Sequence, residues 1–298
     1  MTLKQSLLLF VLLGSLICTL SCSGSKAYDG TVTASVQLRY TSDPTAFPSI
    51  PDGQIRNTVR VFRYNDDGTL SNASPVAEKT VFGKDPEISF SLPVGKYRVS
   101  VWSDCAPEDG SPRWDVSDFR SIPLTGEYNG CDEYVQAYRG DAELVASAAT
   151  VAVQVNMIMP MARWEVVATD AAEFGDTDIS LYRFRFTYTQ FYPTAFGMFF
   201  DEPTDAVSGL SFYSKAKVLE SGNVLLGFDY VLLSRAFSHV PVILEVMAAD
   251  GTILHTAAVN LYLSRPQRIS LQGDYLSGHT ASGIEMDPEF DGNIDINI

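Results

Sequence analysis

Residues 88–102 read Ile-Ser-Phe-Ser-Leu-Pro-Val-Gly-Lys-Tyr-Arg-Val-Ser-Val-Trp. Ile88, Phe90 and Leu92 alternate with serines, Pro93-Val94-Gly95 turns the chain, and Tyr97, Val99 and Val101 then alternate with Lys96, Arg98 and Ser100. A period of two sends the apolar side chains to one face of an extended chain and the polar ones to the other. The stretch therefore reads as two half-buried strands joined by a tight turn.

The same pattern extends in both directions. Upstream, Val32, Ala34, Val36, Leu38 and Tyr40 share one face, and Val59-Arg60-Val61-Phe62-Arg63-Tyr64 ends in the turn signal Asn65-Asp66-Asp67-Gly68. Downstream come the stripes Val151/Val153/Val155/Met157/Met159, Trp164/Val166/Ala168, Tyr182/Phe184/Phe186/Tyr188, Val224/Leu226/Phe228/Tyr230, Val242/Leu244/Val246 and His255/Ala257/Val259/Leu261. Only 142–149 and 170–174 read as short helical turns, and no heptad or repeat of 20–50 residues is visible. Strands with one buried face, punctuated by Gly, Pro and Asp, predict antiparallel β-sandwiches. The length of 298 residues accommodates two, and Pro160 in Met159-Pro160-Met161-Ala162-Arg163 suits a boundary. The expected organisation is 31–160 for the first sandwich and 161–298 for the second.

With 21 basic and 36 acidic residues the net charge is −15. A field of that sign repels nucleic acid and anionic headgroups. His239, His255 and His279 stand alone, without ligand spacing, so no metal centre and no cofactor are expected. No G-x-S-x-G elbow offers a nucleophile. Acidic pairs such as Asp132-Glu133 and Asp201-Glu202 read as solvating groups. The chain is read as no enzyme.

At the N-terminus, Lys4 precedes the apolar run Leu7 to Ile17, whose eleven residues would rise about 16 Å as a helix, too short to span a bilayer. This is a secretory signal. It ends in Thr19-Leu20-Ser21-Cys22-Ser23-Gly24, which resembles the bacterial lipoprotein cleavage box. That resemblance implies a signal peptide over 1–21, acylation of Cys22, and a tether over 22–30. Two or more acyl chains anchor stably where one does not.

Together, this box, the unit 59–68, the unit 92–102, the junction strand 159–166 and the ending Gly283-Ile284-Glu285-Met286-Asp287-Pro288 resemble the fimbrillin-related surface lipoproteins of Bacteroidales. The resemblance implies two tandem transthyretin-like sandwiches at the outer-membrane surface, held by lipid on Cys22. It implies adhesion or fimbria assembly and anchoring by β-strand addition, with fimbrial subunits or host and bacterial surface ligands as partners. In that family an Arg-directed cleavage frees a strand-accepting groove; Arg39 and Arg56 lie in the relevant region, and no feature marks either one.

Further candidates come from the residues themselves. Ile294, Ile296 and Ile298 alternate with Asp295 and Asn297, which describes a terminal strand closing its own domain or donated to a neighbour. Asp287, Glu289, Asp291 and Asp295 have the spacing of a calcium loop that lacks its closing Glu, so it would bind weakly at most. Cys105 and Cys131 bracket a Pro- and Gly-rich loop; a bridge there would be worth on the order of 3 kcal/mol, and two free thiols is the other option. Trp114, in that polar loop, is the best single candidate for an exposed contact residue. Phe191, Tyr192, Phe196, Phe199 and Phe200 crowd within ten residues. Those not needed for the core would offer stacking platforms, the basis of a rival reading as a glycan-binding lipoprotein of a polysaccharide-uptake system.

Overall fold

The computed structural model describes residues 30–40, 46–70, 74–107, 111–147, 150–174, 178–277 and 294–297. Strands dominate them. In chain order these are β1 (Thr31–Tyr40), β2 (Ile55–Arg63), β3 (Ala77–Phe82), β4 (Ile88–Pro93), β5 (Gly95–Cys105), β6 (Ile122–Pro123), β7 (Ala137–Ala146) and β8 (Thr150–Met157). There follow β9 (Met161–Ala168), β10 (Arg183–Tyr188), β11 (Phe191–Gly197), β12 (Glu202–Ser208), β13 (Ser211–Ser214), β14 (Lys217–Val218), β15 (Val224–Leu232), β16 (Ser238–Met247), β17 (Ile253–Leu263), β18 (Arg268–Gly273) and β19 (Ile294–Asn297). The expected all-β architecture is what the chain adopts.

The alternation decides which face of each strand is covered. In β4, Ile88, Phe90 and Leu92 are buried between exposed Ser89, Ser91 and Pro93. Of the helical turn expected over 142–149, residues 142–146 are strand instead: β7 runs through Ala146, paired with β5. Leu144 and Ala146 then face the core, and cross-strand packing overrides the helix preference of an Ala-rich segment. Residues 171–174 do form a single helical turn.

Two sandwiches result, with the same strand order. The first packs β3-β2-β5-β7 against β4-β1-β8, and the second packs β13-β10-β16-β17 against β15-β9-β18. Corresponding strands occur in the same chain order. In each sandwich the opening strand pairs antiparallel on one side, β1 with β4 and β9 with β15, and parallel with the last core strand on the other, β1 with β8 and β9 with β18. The second sandwich carries two additions, β14 beyond β15 and β19 beyond β18.

Two apolar cores accompany the sheets, but the chain does not divide between them cleanly. Phe196, Met198, Tyr230 and Leu232 from the later half are buried with the first core. In return, the long excursion between β5 and β7 crosses to the second unit. Its β6 pairs with β11 through Ile122 and Phe196, the amide of Cys131 bonds the Phe228 carbonyl, and Gly130 lies against the Phe212 ring. Gly130 has φ +60°, and a Cβ there would sit 2.3 Å from that ring, so the crossing needs glycine.

Candidate functional site

For a non-catalytic strand-adding protein the functional groups are unpaired backbone amides and carbonyls at sheet edges. Most described edges are blunted. β3 carries Glu78 and Lys79, and β7 carries Arg139, Asp141 and Glu143. β12 carries Glu202, Pro203 and Asp205. The edge of β4 ends on Pro93, and the Lys79 ammonium caps its Ser89 carbonyl at 3.2 Å. β13 and β14 are short, and β17 starts with a bulge around Leu254. Charges, prolines, bulges and brevity are the devices that keep edges from pairing with strangers.

β8 has none of them. Thr-Val-Ala-Val-Gln-Val-Asn-Met is eight residues without a charge or a proline, and its pairing with β1 runs unbroken from Thr150 to Met157. No other strand of its sheet lies on its outer side among the described residues. Ile158 just beyond it, however, exchanges two backbone hydrogen bonds with Arg139 of β7, and Gly140 of β7 lies against Val155 and the Asn156 carbonyl, so the open part of the edge is Thr150–Gln154. Thr150, Ala152, Gln154 and Asn156 face solvent, while Val151 and Val153, which face inward, are only half-buried. At the corresponding strand β18 the inward residues Ile269 and Leu271 are buried, and β19 lies outside, pairing Ile269 with Ile294 and Leu271 with Ile296 in parallel. The terminal strand thus closes its own sandwich. Ile298 lies outside the described residues.

The other sequence candidates fare differently. Trp114 is not exposed: its indole Nε1 donates to the Val135 carbonyl at 3.0 Å and its ring meets Trp102 edge-on at 5.4 Å. The polar loop folds back over the first core and buries it. Cys105 and Cys131 are free thiols. Cys105 Sγ lies 3.8 Å from the Gln136 carbonyl in the first core, whereas Cys131 packs on the second and its sulfur accepts the Phe228 amide. Belonging to different units keeps them unbridged, and burial pushes both thiols upward in pKa. Of the crowded aromatics, Tyr192 and Phe196 are buried, in the second and first core respectively, while Phe191 and Phe200 are 73% and 63% exposed. Cys22 and the calcium-like positions Asp287, Glu289 and Asp291 lie outside the described residues. Among those described, no group of His, Cys, Asp or Glu is gathered as a metal site, and no helix is long and apolar enough to cross a membrane.

Of the acidic pairs expected to be solvating groups, Glu202 is exposed, whereas Asp201 and Glu133 are part of the polar fastening between the units. Asp201 is 6% exposed and receives the guanidiniums of Arg139 and Arg265, each at 3.0 Å, and that of Arg235. Burial pushes its carboxyl up, but the hydrogen bonds from Arg265 and Arg235 and the charge of Arg139 outweigh this and hold it below its ordinary range. Glu133 accepts the Tyr230 hydroxyl at 2.5 Å and pairs with Arg163 at 3.4 Å. Asp229 is fully buried and accepts from the hydroxyls of Tyr188 at 2.5 Å and Tyr128, and from the Tyr230 amide. With no cation beside it, burial drives its pKa well above the ordinary value. Sequence reasoning missed these roles because no local pattern distinguishes a carboxylate that another unit will cover. For β8 a signal was present: an apolar stripe of eight residues with no charge on either face.

Comparison with known proteins finds likenesses at low identity. No curated protein matches the chain. A solved structure of a candidate polysaccharide-binding protein from Bacteroides thetaiotaomicron is 12% identical, covering 76% of this chain and 79% of that one with a TM-score of 0.49. A candidate adhesin from the same species is 14% identical over 76% and 80%, with a TM-score of 0.48. The fimbrial anchor protein Mfa2 of Porphyromonas gingivalis is 12% identical over 76% and 82%, with a TM-score of 0.43. A family model matches residues 24–298, and the chain belongs to that family, the family of unknown function DUF6562.

Proposed function

We propose that this is a non-enzymatic cell-surface lipoprotein that acts in adhesion or in fimbria assembly and anchoring, by addition of a strand at a sheet edge. The observation that carries the reading is the edge of β8, uncharged along its length and open over Thr150–Gln154, before β7 covers it. Backbone pairing along such an edge supplies affinity, and the alternating side chains set register. The working units are residues 31–160 and 161–298. Lipid on Cys22 holds them to the outer membrane at the cell surface, and residues 23–30 lift them off it. Other fimbrial subunits are the partners this chemistry suits.

Replacing Ala152 by Lys tests the reading, since Ala152 is exposed on β8 and a charge there blunts the edge. Cells producing the variant should display it normally but lose its filaments and its co-purifying surface subunits. Unchanged assembly would overturn the reading. A rival reading, capture of glycans, draws on the exposed rings of Phe191 and Phe200. A glycan array decides: the strand-adding reading expects it blank, and a bound glycan that is lost on Phe191→Ala would replace it.

A further inference from the structure

We infer that β17 is a second docking edge and that its occupant is another copy of this chain, the two β17 strands running antiparallel across a two-fold axis at Ala258. The contact is separate from the proposed role of β8 and leaves that edge open in both copies. β17 is the outermost strand of β13-β10-β16-β17, and among the described residues its only backbone partner is β16. The corresponding strand of the first sandwich, β7, carries Arg139, Asp141 and Glu143 and is met on its outer side by Ile158. The eleven residues Ile253–Leu263 hold no Asp, Glu, Lys, Arg or Pro. The bulge near Leu254 marks only the start of the strand, and from His255 to Leu263 the pairing with β16 is continuous.

Three features point to a second copy. A chain of charge −15 repels its own kind over most of its surface, so copies approach best where charge is absent, as it is here. The edge is also ready for a partner. Ala257, Val259, Leu261 and Leu263 are already buried in their own sandwich, so pairing adds backbone bonds without rearranging either core. Finally, the strand matches itself. An axis at Ala258 overlaps all eleven residues, and on the outward face it sets Ala258 against Ala258, Thr256 against Asn260 and Leu254 against Tyr262 of the other copy. Leu254, 52% exposed, thereby gains an aromatic neighbour at each end of the contact. Tyr262 is held ready for it, stacked on Phe237 and His239 with ring centroids 5.8 and 4.8 Å away. An axis at Val259 would leave Leu254 beyond the end of the other strand, and one at Ala257 would set it against polar Asn260. The four-stranded sheet becomes eight-stranded across the axis, an isologous contact that closes as a pair.

Cysteine cross-linking of the full chain on intact cells tests the register. Ala258→Cys places a thiol opposite itself across the axis, at the separation of directly facing strand residues. Mild oxidation should give a band of twice the chain mass on a non-reducing gel, well above that from the unsubstituted chain. Thr256→Cys, also exposed on β17 but facing Asn260, should stay at that background. Charge exchange tests the contact without thiols. Ala258→Lys sets like charges directly opposite and should lower co-purification of an untagged with a tagged copy at least tenfold, and mixing an Ala258→Lys copy with an Ala258→Glu copy should restore it. A displayed Ala258→Cys chain that stays monomeric, a band of equal strength from Thr256→Cys, or co-purification indifferent to Ala258→Lys would each overturn the inference. Adding Ala152→Lys should leave the Ala258→Cys band unchanged; a band lost with it would move the contact to β8 and overturn the inference too. If Ala258→Cys stays monomeric while Ala152→Lys still abolishes capture of other subunits, the proposed function stands and this inference alone falls.

Discussion

The two sandwiches share one strand order and differ at one edge. In the second, the outer side of β18 carries β19, and Ile269 and Leu271 beneath it are buried. In the first, β7 covers the outer side of β8 only from Val155 onward, and Val151 and Val153 remain half-open. The same architecture is thus extended in one unit by β19 and left partly open in the other. An edge strand exposes a row of backbone donors and acceptors, and the usual devices against pairing, present on most other described edges, are absent from this one. The contrast locates a surface that conservation of topology alone would not reveal.

Several measurements would break or sharpen it. The largest effect is expected in the cores. Trp164 is fully buried and its Nε1 donates to the Tyr188 hydroxyl at 3.1 Å, so Trp164→Ala should cost roughly 3–5 kcal/mol. Because the units exchange strands and side chains, calorimetry should show one transition, moved as a whole; two transitions with one left in place would mean the units are independent. Next is the crossing itself. Gly130→Ala pushes a methyl into the Phe212 ring at a positive φ and should cost about 1–3 kcal/mol in urea unfolding, whereas a neutral result would show that the crossing adapts.

Removing residues 294–298 makes the second sandwich resemble the first. The monomer should stay folded and lose about 1–2 kcal/mol, with faster hydrogen exchange at Ile269–Gln272. Global unfolding would mean that β19 is essential to its sheet and that the comparison fails. A smaller effect is expected from pH. The folded pKa of Asp229 lies above its ordinary value of 3.8, so its contribution is fully present below that value and is lost as pH rises toward the folded one. Melting temperature should therefore decline from pH 5 to pH 8, and Asp229→Asn should flatten that decline; an unchanged slope would remove Asp229 from the account. The smallest effect belongs to Ala152→Lys, which touches only the open edge. Monomer stability should shift by no more than about 0.5 kcal/mol, so that any loss of association reads the edge and not the fold.

Much of the fold was legible because period-two alternation is a local record of which face will be buried. The stripes at Ile88–Leu92, Tyr97–Val101 and Val151–Met157 all became strands with the expected side inward. The repeat of topology was not legible, since the two units share order without sharing sequence. Trp114, Glu133 and Asp201 escape a reading that infers exposure from polar neighbours in sequence: Trp114 folds back onto Trp102 of the first core, whereas Glu133 and Asp201 meet side chains of the other unit. The free thiols follow from the same crossing, which sends Cys131 to a different core from Cys105.

What the sequence determined unaided is therefore the all-β class, the inward face of most strands, and the absence of charge along residues 150–157, each a property of neighbouring residues on one strand. What only the tertiary structure decided is which edge is left open, which carboxylates are buried and which thiols can meet. Those depend on strand pairing and packing between residues up to about a hundred positions apart, as in Tyr128 with Asp229, and no local pattern carries that information.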